Sequence, residues 1–117
     1  MRATAVFTDL PFDGSQASRE FYTDFLGLSD ETLSLGWATR LGTPDGKVRL
    51  QLITQDQTAP VNPIASIGVD DVDAAYAQAI ERGYEIVHPL TDEPWGIRRF
   101  FVRTPDGNVL NINTHRD

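Results

Sequence analysis

Thr43-Pro44-Asp45-Gly46 returns 61 positions later as Thr104-Pro105-Asp106-Gly107, and each copy stands between two stretches of strand-like alternation. A chain of 117 residues has the size of one compact domain. A turn that recurs inside it therefore points to duplication of one supersecondary unit rather than to two independent domains. Upstream of each turn lies an amphipathic helix pattern, and upstream of each helix a strand pattern. The order strand, helix, strands is read twice.

The first helix is expected to begin in the N-cap cluster Asp13 to Ser15, to carry Ala17, Phe21, Phe25 and Leu28 on one face, and to stop at Gly27. The second should begin after Asp70-Asp71, bury Val72, Ala75, Tyr76, Ala79 and Ile80, and stop at Gly83. After each Pro-Asp-Gly turn the alternation resumes, with Val48, Leu50 and Leu52 on one face in the first half and Leu110 and Ile112 in the second. Leu33 to Leu41 and Arg98 to Arg103 supply the partner strands, so each half closes on a hairpin. Thr58-Ala59-Pro60-Val61-Asn62-Pro63 has two prolines and no periodicity and reads as an extended linker. The expected organisation is a first module over 1–57, a linker over 58–63 and a second module over 64–117.

Composition narrows the chemistry. The chain has no cysteine and only two histidines, which rules out a disulfide framework, a thiolate nucleophile and a cysteine-ligated metal. A net charge of −7 argues against a nucleic-acid partner, because such modules present basic stripes. No apolar run approaches the ~18 residues of a membrane span. Met1-Arg2-Ala3-Thr4-Ala5-Val6 leads directly into a strand pattern without a secretory leader, so the expected location is the cytoplasm.

The duplicated unit carries further landmarks: Leu10-Pro11-Phe12, Ala17-Ser18, Phe21-Tyr22 leading to Leu26-Gly27-Leu28, Val69-Asp70-Asp71-Val72-Asp73-Ala74, and Pro94-Trp95-Gly96-Ile97-Arg98-Arg99-Phe100 before Pro105-Asp106-Gly107-Asn108. Together they resemble the vicinal-oxygen-chelate superfamily of glyoxalases, extradiol dioxygenases and bleomycin-resistance proteins. The resemblance implies an α+β fold of two tandem βαβββ modules forming curled mixed sheets around a cleft, assembled as a homodimer. Metal-dependent members of that superfamily place His, Glu, His and Glu on four cleft-facing strand positions.

Carried onto this chain, those positions fall on Phe7, Gln51, Ile64 and Asn111. A one-residue shift would exchange Phe7 for Val6, and a plain offset between the turns would exchange Gln51 for Leu50; none is a carboxylate or an imidazole. The expectation is therefore no metal and no cofactor. His88, before Pro89 in a loop, and His115, near the C-terminus, read as surface residues.

What remains resembles the metal-free bleomycin-resistance type, a protein that binds a planar or cationic organic compound. Gln51 and Asn111 would form a polar floor, either orienting a ligand or bonding to one another or to water across the sheet, with Phe7 and Ile64 as an apolar wall. The segment between helix stop and turn is five residues longer in the second half, in a loop from Pro89 to Trp95. That loop offers Trp95 for stacking and Asp92 and Glu93 for a cation; Trp37, on a strand, is a second aromatic candidate with core packing as its plainer role. The alternative is a lyase, isomerase or dioxygenase-like enzyme of the same superfamily with an altered site.

Overall fold

The computed structural model describes residues 1–116, leaving out the side chains of 30–33. It is a mixed α+β fold. The elements are β1 (Ala3–Pro11), α1 (Gln16–Glu20) continued by a π-helical segment (Phe21–Phe25), β2 (Ser29–Ser34), β3 (Ala38–Gly42) and β4 (Arg49–Ile53). Then follow β5 (Ala65–Val69), α2 (Val72–Glu81), β6 (Glu85–Glu93), β7 (Ile97–Arg103) and β8 (Val109–His115). None of the helices is long and apolar enough to cross a membrane.

Contacts divide the chain into an N-terminal unit, Thr8–Asn62, and a C-terminal unit made of Met1–Phe7 and the chain from Pro63 onward. In the N-terminal unit the strands are ordered β2-β3-β4-β1, with β1 parallel to β4 and β3 antiparallel to it. In the C-terminal unit the order is β5-β8-β7-β6, with β5 parallel to β8 and the other neighbours antiparallel.

The two Pro-Asp-Gly turns close as hairpins for the same reason. Gly46 and Gly107 sit at φ 72° and 92°, a region that a side chain disfavours. Their N–H groups donate to Thr43 O and Thr104 O at 3.0 and 2.9 Å, while the N–H groups of Thr43 and Thr104 donate to Val48 O and Asn108 O. The stretch expected as one strand from Leu33 to Leu41 is two: β2 ends at Ser34, and Leu35 to Trp37 turn the chain into β3.

In α2, Asp71 caps the helix by accepting from Ala74 N–H at 3.0 Å. Its sheet-facing stripe packs Val72, Ala75 and Ala79 with Val69 and Phe100, and Tyr76 meets Phe100 edge-on at 5.0 Å. Burying a ring such as Phe100 contributes ~1.5–3 kcal/mol. Ile80, expected in that stripe, is 55% exposed, because it stands one step beyond the buried Ala79.

The first helix departs further. Ser15 caps it as expected, accepting from Ser18 N–H, but the chain then widens: Leu26 N–H donates to Phe21 O, five residues back. The extra residue in that turn rotates the face. Tyr22, with Phe12, Leu10 and Leu50, packs on the buried Leu28, Leu41 and Leu52, whereas Phe21 and Phe25, expected in the stripe, are 51% and 74% exposed. The segment after β4 is held by polar side chains rather than simply extended: Asp56 Oδ1 accepts from the N–H groups of Thr58 and Ala59, and Asn62 Oδ1 accepts from Asp56 N–H.

Candidate functional site

Successive strand residues point to opposite faces of a sheet, and in both units one face belongs to the helix. In the N-terminal unit Leu10, Leu41 and Leu52 turn toward the helical side, so Asp9, Arg40 and Gln51, their chain neighbours, turn away from it. The ladder lines these three up across β1, β4 and β3, since Gln51 is opposite both Asp9 and Arg40. All three are buried. Gln51 Nε2 donates to Asp9 Oδ1 at 3.2 Å, and Arg40 Nη2 donates to Gln51 Oε1 at 3.4 Å, so the amide bridges a carboxylate and a guanidinium.

In the C-terminal unit the corresponding row crosses β5, β8, β7 and β6 as Ser66, Asn111, Phe101 and His88. Asn111 Nδ2 donates to Ser66 Oγ at 3.1 Å. Among the described residues nothing donates to the buried Asn111 Oδ1. Turning the amide over would exchange which of its atoms lacks a partner without supplying one.

Beside that row lies a buried ion pair. Arg99 Nε donates to Glu93 Oε2 at 2.6 Å, with the two side chains 4% and 3% exposed, and His88 Nε2 stands 3.2 Å from the same oxygen. The Arg99 guanidinium also lies over two rings, 5.0 Å from the Trp95 centroid and 4.7 Å from that of Phe101. A desolvated cation on an aromatic face is held by ~2 kcal/mol or more. The arrangement fixes Trp95, a half-buried ring on the β6–β7 turn, and tethers that turn to the polar face. Outside it, Arg98 bridges Asp73 (2.7 Å) and Asp92 (2.9 Å), and Arg116 also pairs with Asp92. Arg98 holds the Asp73 carboxyl below the usual carboxylate range, and Arg116 followed by Arg98 does the same for Asp92.

Several sequence expectations change. Gln51 and Asn111 do lie on strands facing away from the helices, but each bonds within its own unit. Phe7 is half-buried and two residues ahead of Asp9 on β1, and Ile64 precedes β5 and is 51% exposed. The residues opposite the amides are Asp9 and Ser66. Phe7 and Ile64 each stand two residues before them along the chain. His88 is not a surface residue, and the expected loop from Pro89 is the second half of β6. Register breaks on either side of His88 bring it to the same face as Thr91 and Glu93, and β6 ends the strand order of its unit, where proline is tolerated. Asp92 and Glu93 are therefore strand residues, each already paired with arginine, and the negative potential expected for a cation is neutralised. Trp37 is half-buried in the bend before β3, its C=O accepting from Thr54 N–H.

The superfamily's metal can be tested against these side chains. The carried-over positions hold Phe7 and Gln51 in one unit and Ile64 and Asn111 in the other, and the side chains opposite the two amides add only Asp9 and Ser66 respectively. A divalent transition metal is held by imidazole, thiolate and carboxylate. Here the carboxylate already accepts from Gln51, whose own oxygen faces an arginine. Among the described residues no three His, Cys, Asp or Glu side chains gather in a group that could hold a metal ion. The donor set does not fit the metal.

Residues 6–112 match the profile of the Glyoxalase/Bleomycin resistance protein/Dioxygenase superfamily. Among solved structures, a member of that superfamily from Vibrio splendidus 12B01 is 21% identical with a TM-score of 0.68, covering 97% of this chain and 99% of that one. A Legionella pneumophila protein described as NAD-dependent benzaldehyde dehydrogenase is 22% identical with a TM-score of 0.74, covering 95% and 99%. Methylmalonyl-CoA epimerase from Mycobacterium tuberculosis is 15% identical with a TM-score of 0.69, covering 98% and 88%. At these identities the likeness is one of fold. No curated protein matches the sequence.

Proposed function

Since the chain belongs to the Glyoxalase/Bleomycin resistance protein/Dioxygenase superfamily, we propose that it acts as a metal-independent small-molecule binding protein of that superfamily, sequestering a planar organic compound. The observation that carries this reading is the pairing of an unsatisfied buried acceptor, Asn111 Oδ1, with a ring-lined guanidinium on the same face of the C-terminal unit. A buried acceptor without a donor costs ~1–3 kcal/mol, which a ligand N–H or O–H would recover. Trp95, held by Arg99, offers a stacking surface at the edge of that face, and such contacts are worth ~0.5–1.5 kcal/mol beyond burial. A screen of heteroaromatic compounds by ligand-observed NMR is the direct test. Trp95→Ala is expected to weaken a hit about tenfold, and Asn111→Ala to weaken it when the hit carries a donor. Unchanged dissociation constants in both variants would remove the site from this face.

One observation favours the enzyme alternative, a lyase or isomerase: Asp9 is a buried carboxylate on the polar face of the N-terminal unit. Conversion of a bound hit, abolished by Asp9→Asn, would establish it. The reading also takes the protein as a cytoplasmic homodimer. Phe21, Phe25 and Leu26 lie exposed along one short segment of the N-terminal unit, a cluster of large apolar side chains of the kind found at protein–protein contacts. Light scattering coupled to size exclusion should give twice the chain mass at micromolar concentration. A constant monomer mass across a hundredfold dilution range would contradict the dimer.

A further inference from the structure

On the opposite side of the C-terminal unit's sheet from Asn111, beneath α2, lies a cavity of about 300 Å³. Ala75 and Ala79 form its helix wall, and Ile67, Phe100, Val102 and Ile112 its sheet wall. The void has a cause in the sequence. Positions 75 and 79 are one helical turn apart and both face the sheet, and alanine at each leaves unfilled the space that larger side chains take where protein interiors are close-packed. The deep lining is apolar, with Ala75, Ala79 and Phe100 buried and Ile67, Val102 and Ile112 half-buried. The lining that meets solvent carries polar groups, half-buried Gln78 and exposed Arg82 and Tyr84, beside exposed Met1 and Ala3. Arg82 is the one charged side chain in the lining, and among the described residues it has no ion pair.

We propose that this cavity is a second binding site, independent of the polar face, for a small amphiphilic anion: an apolar chain seated between α2 and the sheet, with a carboxylate at Arg82. The volume is at the lower end of the ~300–1,000 Å³ of ligand pockets, so the occupant is small. Charge selects its head group. The C-terminal end of α2 contributes about half a negative charge near Arg82, which the full charge of the guanidinium outweighs. That planar fork also matches a carboxylate through two parallel hydrogen bonds.

Octanoate, 1-octanol and octylammonium, titrated into the intact chain and followed by amide NMR shifts, separate the contributions. Octanoate should bind about tenfold tighter than 1-octanol, and octylammonium weakest, with shifts centred on Ala75, Ala79 and Ile112. Arg82→Gln, at an exposed position, should bring octanoate to the level of 1-octanol. Ala79→Leu should abolish binding of both while keeping the thermal midpoint or raising it. Octanoate binding no tighter than 1-octanol, or unaffected by Arg82→Gln, overturns the proposal. So do shifts centred on Asn111 and Trp95 instead. An Ala79→Leu variant that gains stability while the parent protein takes up no octanoate shows a dry packing void and overturns it equally.

Discussion

In the N-terminal unit the row facing away from the helix is Asp9, Gln51 and Arg40, and both ends of the Gln51 amide are engaged. In the C-terminal unit the equivalent row is Ser66, Asn111, Phe101 and His88. There the amide is half satisfied, and the charges have moved to the β6–β7 edge as Glu93 and Arg99, against two aromatic rings. The same ladder thus carries two different solutions to burying polar groups. In one the amide is engaged at both ends; in the other it keeps an open acceptor, beside a ring held by a guanidinium. The proposed recognition accordingly rests on the C-terminal unit, with the N-terminal row in a structural role.

The largest effect expected from this contrast is at Glu93. Glu93→Ala leaves Arg99 buried without its carboxylate, a loss of ~3–5 kcal/mol in urea unfolding. Gln51→Ala in the other row removes the hydrogen bonds of a neutral amide to charged partners and should cost ~1.5–3 kcal/mol. Equal losses would mean that the two rows are energetically alike and the comparison fails.

The helices extend the contrast. Phe100→Ala, under α2, should cost ~3–5 kcal/mol, whereas Phe25→Ala, on the π-helical segment, should change monomer stability by no more than ~0.5 kcal/mol. A larger, concentration-dependent loss for Phe25→Ala would place that ring in the dimer interface.

The parts of the fold that were legible from sequence are those written in local chemistry: the Pro-Asp-Gly hairpins with their left-handed glycines, the Asp71 cap, and the Ala75–Ala79 stripe. The first helix misled because its apolar spacing assumes 3.6 residues per turn, and a π-turn breaks that count between Phe21 and Leu26. That Asp9 and Ser66, rather than Phe7 and Ile64, stand opposite the two amides was not legible, because residues two apart on a strand share a face. His88 and Glu93 were hidden by Pro89, which reads as a loop signal unless one knows that β6 ends the order of strands and that its register breaks there. Their partnership with Arg99 is a contact across a hairpin that spacing alone does not announce.

The smallest effect concerns the exposed charges outside the polar face. Arg98→Ala should cost at most ~1 kcal/mol, and less at high salt. Asp73 and Asp92 have lowered pKa values in the folded chain, so their contribution is present above the ordinary carboxylate range and is lost as pH falls through the lowered values. The Arg98→Ala deficit should accordingly shrink in acid. A deficit that grows instead would show that the cluster acts through packing.

The central claim, that the C-terminal unit's polar face binds a planar compound without a metal, is tested most directly by calorimetric titration of one screened ligand into protein whose metal content has been measured, with and without chelator. The expected result is no stoichiometric metal, one dissociation constant in both conditions, and about tenfold weaker binding by Trp95→Ala. Near-equimolar zinc, nickel, manganese or iron that survives dialysis, with binding lost on chelation, would contradict it.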